Sequence, residues 1–200
     1  LLWKRGMTHG TINMMQALAE SCNYYFYEIG RRAGIEAIDT VSKGLGLGEH
    51  TGVELPEETG SRGNPETKKE VYADDPDRSG WYGADTLQVA IGQGDNKFTP
   101  MQLACYTAAL ANSGTRCRAT YLRRVVSSDY TSVVMENEPV VESTFKISDD
   151  ALSCVREGMR MTVTSGTASS YLSDYSVAVA AKTGTAQHGG LGSDNASFVC

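Results

Sequence analysis

The sequence predicts an α+β chain with a helical majority, and three observations predict it. Several stretches open on a capping residue, carry apolar residues at helical spacing and stop at glycine. The stretch 177–187 runs Val-Ala-Val-Ala-Ala with no polar member before Lys182, as a strand buried on both faces does. Other strand-like segments, rich in Val and Tyr, are few and short.

Two hundred residues suffice for one domain with a real core, and 40% hydrophobic with 21% charged residues is ordinary for a globular chain. A formal charge of −6 argues against nucleic acid or an anionic membrane surface as the main partner, because both select a basic patch. Arg123-Arg124 and Lys68-Lys69 are only short pairs with neutral or acidic flanks. No apolar run approaches the roughly 18 residues of a membrane-spanning helix. The start Leu-Leu-Trp-Lys-Arg carries neither a methionine nor a signal-peptide pattern, so the chain reads as a piece of something longer. Cys22, Cys105, Cys117, Cys154 and Cys200 fit neither a zinc knuckle nor a redox pair, and read as ordinary buried thiols. His9, His50 and His188 fall at no ligand spacing, so no metal or other cofactor is assigned.

Along the chain, Thr11 is placed to cap a helix carrying Ile12, Met15, Leu18 and Ala19 and ending near Glu20. Ser21-Cys22-Asn23 follows, where Ser and Asn favour positions between helices and a side-chain oxygen can cap the next one. Tyr24 to Ala33 reads as a second helix with Phe26, Ile29 and Ala33 on one face and Gly34 as its stop. Ile35, Ile38 and Val41 predict a third, closed by Gly44. The run 44–48, Gly-Leu-Gly-Leu-Gly, has no strand before it and no Lys-Ser or Lys-Thr after it, so it reads as an anchored turn and not a phosphate loop. From Ser61 to Asp85 no periodicity is sustained, and Asp74-Asp75-Pro76-Asp77-Arg78 lacks the ligand spacing of a calcium loop, which predicts a solvated surface loop. Leu87 to Ile91 is apolar and runs into the turn Gly92-Gln93-Gly94-Asp95.

Thr99-Pro100-Met101-Gln102 is a capping box with proline at the first helical position, opening a helix to about Asn112 that Gly114 ends. Arg118 to Ser127 and Ser132 to Met135 read as strands. Ser148 caps a helix whose buried stripe is Leu152, Val155, Met159 and Val163, with Ser165-Gly166 at its end. The 177–187 strand, a glycine-rich turn through His188-Gly189-Gly190 and a last strand over 196–200 complete the chain.

Where the 177–187 strand turns polar, Lys182 offers a cation, Thr183 and Thr185 offer hydroxyls, and Gly184 leaves room for another backbone. Such a strand end suits an extended peptide carrying a carboxylate, paired along the strand edge while the cation and hydroxyls read its charge. An ordinary Lys-Thr-Gly turn at the surface is the plainer alternative.

Ser21-x-Asn23 and Lys182-Thr183-Gly184, in that order and separated by a largely helical region, match two of the three signatures of the active-site serine penicillin-recognising proteins. The surrounding words agree: Ala19-Glu20-Ser21-Cys22-Asn23-Tyr24, Gly92-Gln93-Gly94, Thr99-Pro100-Met101-Gln102, Gly166-Thr167-Ala168 and Lys182-Thr183-Gly184-Thr185-Ala186-Gln187. The chain resembles the transpeptidase domain of class B high-molecular-mass penicillin-binding proteins along nearly its whole length. The resemblance implies the penicillin-binding transpeptidase and serine β-lactamase-like α+β fold, here partial: the helical subdomain and part of an antiparallel sheet. Residues 1–200 are read as one partial transpeptidase domain, truncated at both ends.

The resemblance further implies a peptidoglycan D,D-transpeptidase acting through a serine acyl-enzyme on stem peptides ending in D-Ala-D-Ala, and open to β-lactam antibiotics. Ser21 takes the role of relaying a proton toward the leaving amine, and Asn23 that of bonding the substrate amide and the lysine beside the nucleophile. Lys182 supplies positive potential, Thr183 and Thr185 bind the terminal carboxylate beside Gly184, and the Thr185 N–H forms half of the oxyanion hole. Plain helix capping by Ser21 and Asn23 is compatible with those roles. The nucleophile motif Ser-x-x-Lys is absent from residues 1–20, and relay chemistry does not replace a nucleophile. Ser143-Thr144-Phe145-Lys146 spells that motif but lies between the other two, so Ser143 is rejected as the nucleophile and none is assigned in this chain. Ser193-Asp194-Asn195 mimics a second signature in the wrong order and reads as turn chemistry.

The fragment alone is therefore expected to be inactive. Implied partners are stem peptides, β-lactams and other cell-wall-synthesis proteins, with no nucleic acid. The implied location is the extracytoplasmic face of the cell membrane, reached only through an anchor outside this chain. Two other readings stand beside this one: a β-lactamase or β-lactam-sensor relative, and a non-catalytic interaction module. Unpaired sheet edges would favour association.

Overall fold

The computed structural model describes residues 8–187 and 194–200, so the turn at His188 and the serine of Ser193-Asp194-Asn195 lie outside the described residues. The elements in order are α1 (Met14–Ala19), α2 (Asn23–Ala33), α3 (Ile35–Gly44), α4 (Pro65–Val71), α5 (Pro76–Ser79), α6 (Gly83–Ala90), α7 (Pro100–Ala111), β1 (Thr115–Cys117), β2 (Arg124–Val126), β3 (Val133–Glu136), β4 (Val141–Thr144), α8 (Asp149–Thr164), α9 (Ser169–Leu172), β5 (Lys182–Ala186) and β6 (Asn195–Val199). Helix outweighs strand, and the strands form two-stranded antiparallel sheets, β1 with β4, β2 with β3 and β5 with β6. The chain divides into two compact units, one from residues 1–35, 81–94 and 148–200, the other from 36–80 and 95–147.

In the first unit α1 lies along α8. Their approach is close because position 158 of α8 has no side chain: a Cβ there would stand 2.8 Å from Leu18 Cδ2 and 3.2 Å from Met15 Cα. The cap of α1 is Asn13, not Thr11. The Asn13 side chain accepts from Gln16 N–H at 2.9 Å while Gln16 Oε1 accepts from Asn13 N–H at 2.9 Å, so two orphan donors are satisfied reciprocally and the helix starts there. In α2 the buried position is Gly30, against Thr86 and Ala90 of α6, whereas Ile29 and Ala33 are exposed; the packed face is set by this close approach and not by the bulkier residues. α8 has its expected cap, Ser148, and buries Leu152 and Val163 of its expected stripe, with Gly158 and Thr162 beside them. Val163, Ala168 and Ala181 form a small core with Leu172 and Val179 packed on it.

The expected strand over 177–187 is shorter than the apolar run suggested. Val177 is 63% exposed, and the ladder begins only at Lys182, paired with Val199, and ends at Ala186, paired with Asn195. Residues 179–181 lie instead against α8. Ala181 N–H donates to the Met159 carbonyl at 2.9 Å and Arg160 Nη1 donates to the Val179 carbonyl at 2.7 Å, which satisfies backbone groups without a partner strand.

In the second unit α7 starts at the expected capping box, and Gln102 is buried with its Nε2 donating to the carbonyls of Glu49 and Thr59, both at 2.8 Å. The glycine–leucine run is the expected anchored turn, with Leu45 and Leu47 buried. The segment expected as a loop from Ser61 to Asp85 instead contains α4, α5 and the start of α6. Asn64-Pro65 caps α4, with Asn64 Oδ1 accepting from Thr67 N–H at 2.8 Å, and Asp75-Pro76 opens α5; these are cap-then-proline signals like that at Thr99, on helices too short to show periodicity. Both strands expected here are present as the hairpin of β2 and β3, the first cut back to Arg124–Val126, and β1 with β4 are strands that no alternation announced. All five cysteines are free thiols, but only Cys22 is buried; Cys105 and Cys154 are half-buried, and Cys117 and Cys200 are exposed.

Candidate active site

The site is built where α1 ends and β5 begins, both within the first unit. α1 closes in a Schellman turn: Cys22 N–H donates to the Ala17 carbonyl at 2.9 Å and Ser21 N–H to the Leu18 carbonyl at 3.3 Å. That turn needs a left-handed residue at its end, and Ser21 supplies it with φ of 51°. Glycine is the usual occupant; a serine here accepts backbone strain and projects a hydroxyl from the turn.

The hydroxyl meets Lys182, the first residue of β5. Lys182 Nζ donates to Ser21 Oγ at 2.5 Å and to the Thr183 carbonyl at 2.7 Å. Desolvation by burial pushes the Lys182 amine below its ordinary value of 10.5. Its side chain is thus a half-buried cation held by two oxygens, one of which belongs to a residue 161 positions away.

A second turn ties these parts together. Thr167 Oγ1 lies 3.0 Å from Thr183 Oγ1, while Thr167 N–H donates to the Ala19 carbonyl at 3.1 Å. Gly166 makes that approach possible, since a Cβ at 166 would run into the carbonyl oxygen of Ala19 and stand 2.9 Å from Thr162 Cα. Gln93 holds the far end of the strand: its Nε2 donates to the Thr185 carbonyl at 2.8 Å and its Oε1 accepts from Gln187 N–H at 3.2 Å. A strand residue turns its N–H and C=O to the same edge, so the Thr185 N–H faces the edge on which Gln93 sits.

The structure therefore brings together Ser21, Lys182 and Thr183, with Gly184 and the exposed Thr185 following on β5. Asn23 is exposed at the first position of α2, and among the described residues its carboxamide bonds neither Ser21 nor Lys182. The cap of α2 is Cys22, without a side-chain hydrogen bond, so neither Ser21 nor Asn23 has the helix-capping role open to it in sequence. Ser143 lies exposed in β4, opposite Arg116, with Lys146 in the connection after it. No helical turn sets an amine beside that hydroxyl, as three-residue spacing would on a helix. Gln93 and Thr167 stand inside motifs that sequence singled out, but nothing local gave either side chain a task.

A cleft of about 330 Å³ beside α1 is lined by His9, Gln16, Glu20, Met161 and Ser165 among others, and includes none of Ser21, Lys182 or Thr183. Among the described residues no group of His, Cys, Asp and Glu is set to hold a metal, and no helix is long and apolar enough to cross a membrane.

Ser-x-Asn and Lys-Thr-Gly, which the structure brings together through Ser21 and Lys182, match two of the sequence signatures of the active-site serine penicillin-recognising class. The family model for the penicillin-binding protein transpeptidase domain matches residues 2–199. Peptidoglycan D,D-transpeptidase MrdA of Acinetobacter baumannii is 35% identical over 186 residues, covering 92% of this chain and 26% of the relative. The Escherichia coli K12 protein of that name is 31% identical over 194 residues, covering 94% and 29%. Among solved structures, Pseudomonas aeruginosa PBP2 in complex with WCK 5153 superposes with a TM-score of 0.75 at 27% identity, covering 94% of this chain and 40% of that one. PBP2 of Helicobacter pylori in complex with MreC gives 0.73 at 28%, covering 95% and 33%. This chain belongs to the transpeptidase-domain family of class B penicillin-binding proteins, and its fold is the mixed helix-and-sheet fold of those domains in part. It spans 26% to 29% of the length of those two MrdA relatives.

Proposed function

We propose that this chain carries the proton-relay and carboxylate-binding part of a peptidoglycan D,D-transpeptidase that works through a serine acyl-enzyme on stem peptides ending in D-Ala-D-Ala. The observation that carries the reading is the 2.5 Å bond from Lys182 Nζ to Ser21 Oγ. A hydroxyl that accepts from an amine keeps its own proton to donate, so Ser21 is poised to protonate a leaving amine and draw a replacement from Lys182. The burial that lowers the Lys182 pKa makes giving up that proton easier. Asn23 bonds the substrate amide. Thr183 and Thr185 receive the terminal carboxylate and the Thr185 N–H stabilises the oxyanion, while the bare Cα of Gly184, expected to leave room for the peptide, makes room for the Ser197 side chain of β6. No residue of this chain is assigned as the acylated serine.

β-Lactams bind the same groups on this reading, and the protein works at the extracytoplasmic face of the membrane beside other cell-wall-synthesis proteins. The relatives named peptidoglycan D,D-transpeptidase, and the Helicobacter pylori PBP2 solved in complex with MreC, support that context.

The test is acylation of the full-length gene product by benzylpenicillin, followed by intact mass and peptide mapping. Ser21→Ala and Lys182→Ala should each slow acylation or its peptide cross-linking at least about a hundredfold. Unchanged rates in both variants would remove the relay, rapid turnover of a chromogenic cephalosporin would favour a β-lactamase, and an adduct on Ser143 would place the nucleophile within this chain.

A further inference from the structure

We infer that Thr167 is a positioning residue of the carboxylate subsite, acting through Thr183; this rests on the reading of Thr183 as a carboxylate ligand. The two hydroxyl oxygens are 3.0 Å apart, which is a hydrogen bond in which one hydroxyl donates and the other accepts. An anion at Thr183 settles the direction. A carboxylate only accepts, so Thr183 gives its proton to the anion and takes a bond from Thr167 in return, and each bond of such a chain strengthens the other.

Thr167 is fixed for this task by its backbone. Its N–H donates to the Ala19 carbonyl at 3.1 Å, the next residue's N–H donates to the Thr162 carbonyl at 2.9 Å, and the bare Cα of Gly166 lies where any side chain would meet Ala19. The turn 166–168 is thereby tied to the ends of α1 and α8, with the Thr167 hydroxyl reaching β5 at Thr183. Thr167 joins the segment that leads into Ser21 to the strand that carries Lys182 and Thr183, so the carboxylate subsite and the proton relay are set by a common turn.

The experiment is a calorimetric titration of the full-length gene product with a diacetyl-lysyl-D-alanyl-D-alanine peptide and, in parallel, with its C-terminal amide. Thr167→Val keeps the shape and removes the hydroxyl; it should weaken the acid by about fivefold, the worth of one hydrogen bond, and leave the amide unchanged. Thr167→Ser should restore the acid to within about twofold, which a role in packing alone would not predict. Equal weakening of both ligands, or no weakening, would overturn the inference. Thr183→Ala separates the two levels: if it too fails to distinguish acid from amide, the carboxylate reading of Thr183 falls and this inference with it. An acid-selective loss in Thr183→Ala without one in Thr167→Val overturns the role of Thr167 alone.

Discussion

Ser21 stands in a left-handed conformation with φ of 51° at the end of a Schellman turn, where glycine is the favoured residue. The strain of an L side chain there is on the order of 1–2 kcal/mol, and a glycine gives back roughly 0.4–1 kcal/mol through the greater freedom of the unfolded chain. Ser21→Gly and Ser21→Ala both delete the hydroxyl that Lys182 holds, so both lose that bond equally. Only the glycine removes the strain. The glycine variant should therefore be the more stable of the two by about 1 kcal/mol, or about 2–4 °C in melting temperature for a chain of this size. Parallel urea titrations and thermal melts of the two variants measure the difference. Both should lack relay function in the acylation assay, so stability and activity part company at a single position. An alanine variant as stable as the glycine variant would show that the turn stores no strain at Ser21, and the explanation for serine at this position would fail.

Two further outcomes follow from the same geometry. Lys182 has a folded pKa below its ordinary 10.5, so its share of stability is greatest above 10.5 and falls as pH drops through the folded value; between those points the unfolded chain binds more protons and stability rises with pH. Urea titrations of wild type and Lys182→Met at increasing alkaline pH should show the difference move in favour of wild type, and a pH-independent difference would count against burial as the cause. Gln93→Ala removes both bonds to the outer edge of β5, so the Gln187 amide should exchange with solvent about tenfold faster while amides within α8 keep their protection, as hydrogen-exchange NMR would read.

Capping chemistry and the order of two short motifs make much of this protein legible in its sequence. The box at Thr99, the cap at Ser148 and the stop at Gly34 are local: the hydrogen bonds that define them lie within a few residues, so composition at those positions is nearly sufficient. The same locality explains the misses at α4 and α5, where the cap signals are present at Asn64-Pro65 and Asp75-Pro76 but the helices are too brief for an apolar stripe. The extent of β5 failed for the opposite reason. Small apolar residues at 177–181 suit a strand and suit a segment lying on a helix equally, and the backbone chose the carbonyl of Met159.

By itself the sequence determined the α+β class, the bounds of α2, α3, α7 and α8 to within about two residues, and the identity of the groups at the site: a hydroxyl at 21, an amine at 182, hydroxyls at 183 and 185. Only the tertiary structure decided that the amine of Lys182 reaches the hydroxyl of Ser21, that Thr167 meets Thr183, and that Gln93 closes the outer edge of β5. The physical reason is that hydrogen bonds between residues far apart in sequence depend on how α1, α8 and β5 pack, and packing depends on where side chains are missing, as at Gly158 and Gly166, as much as on where they are present.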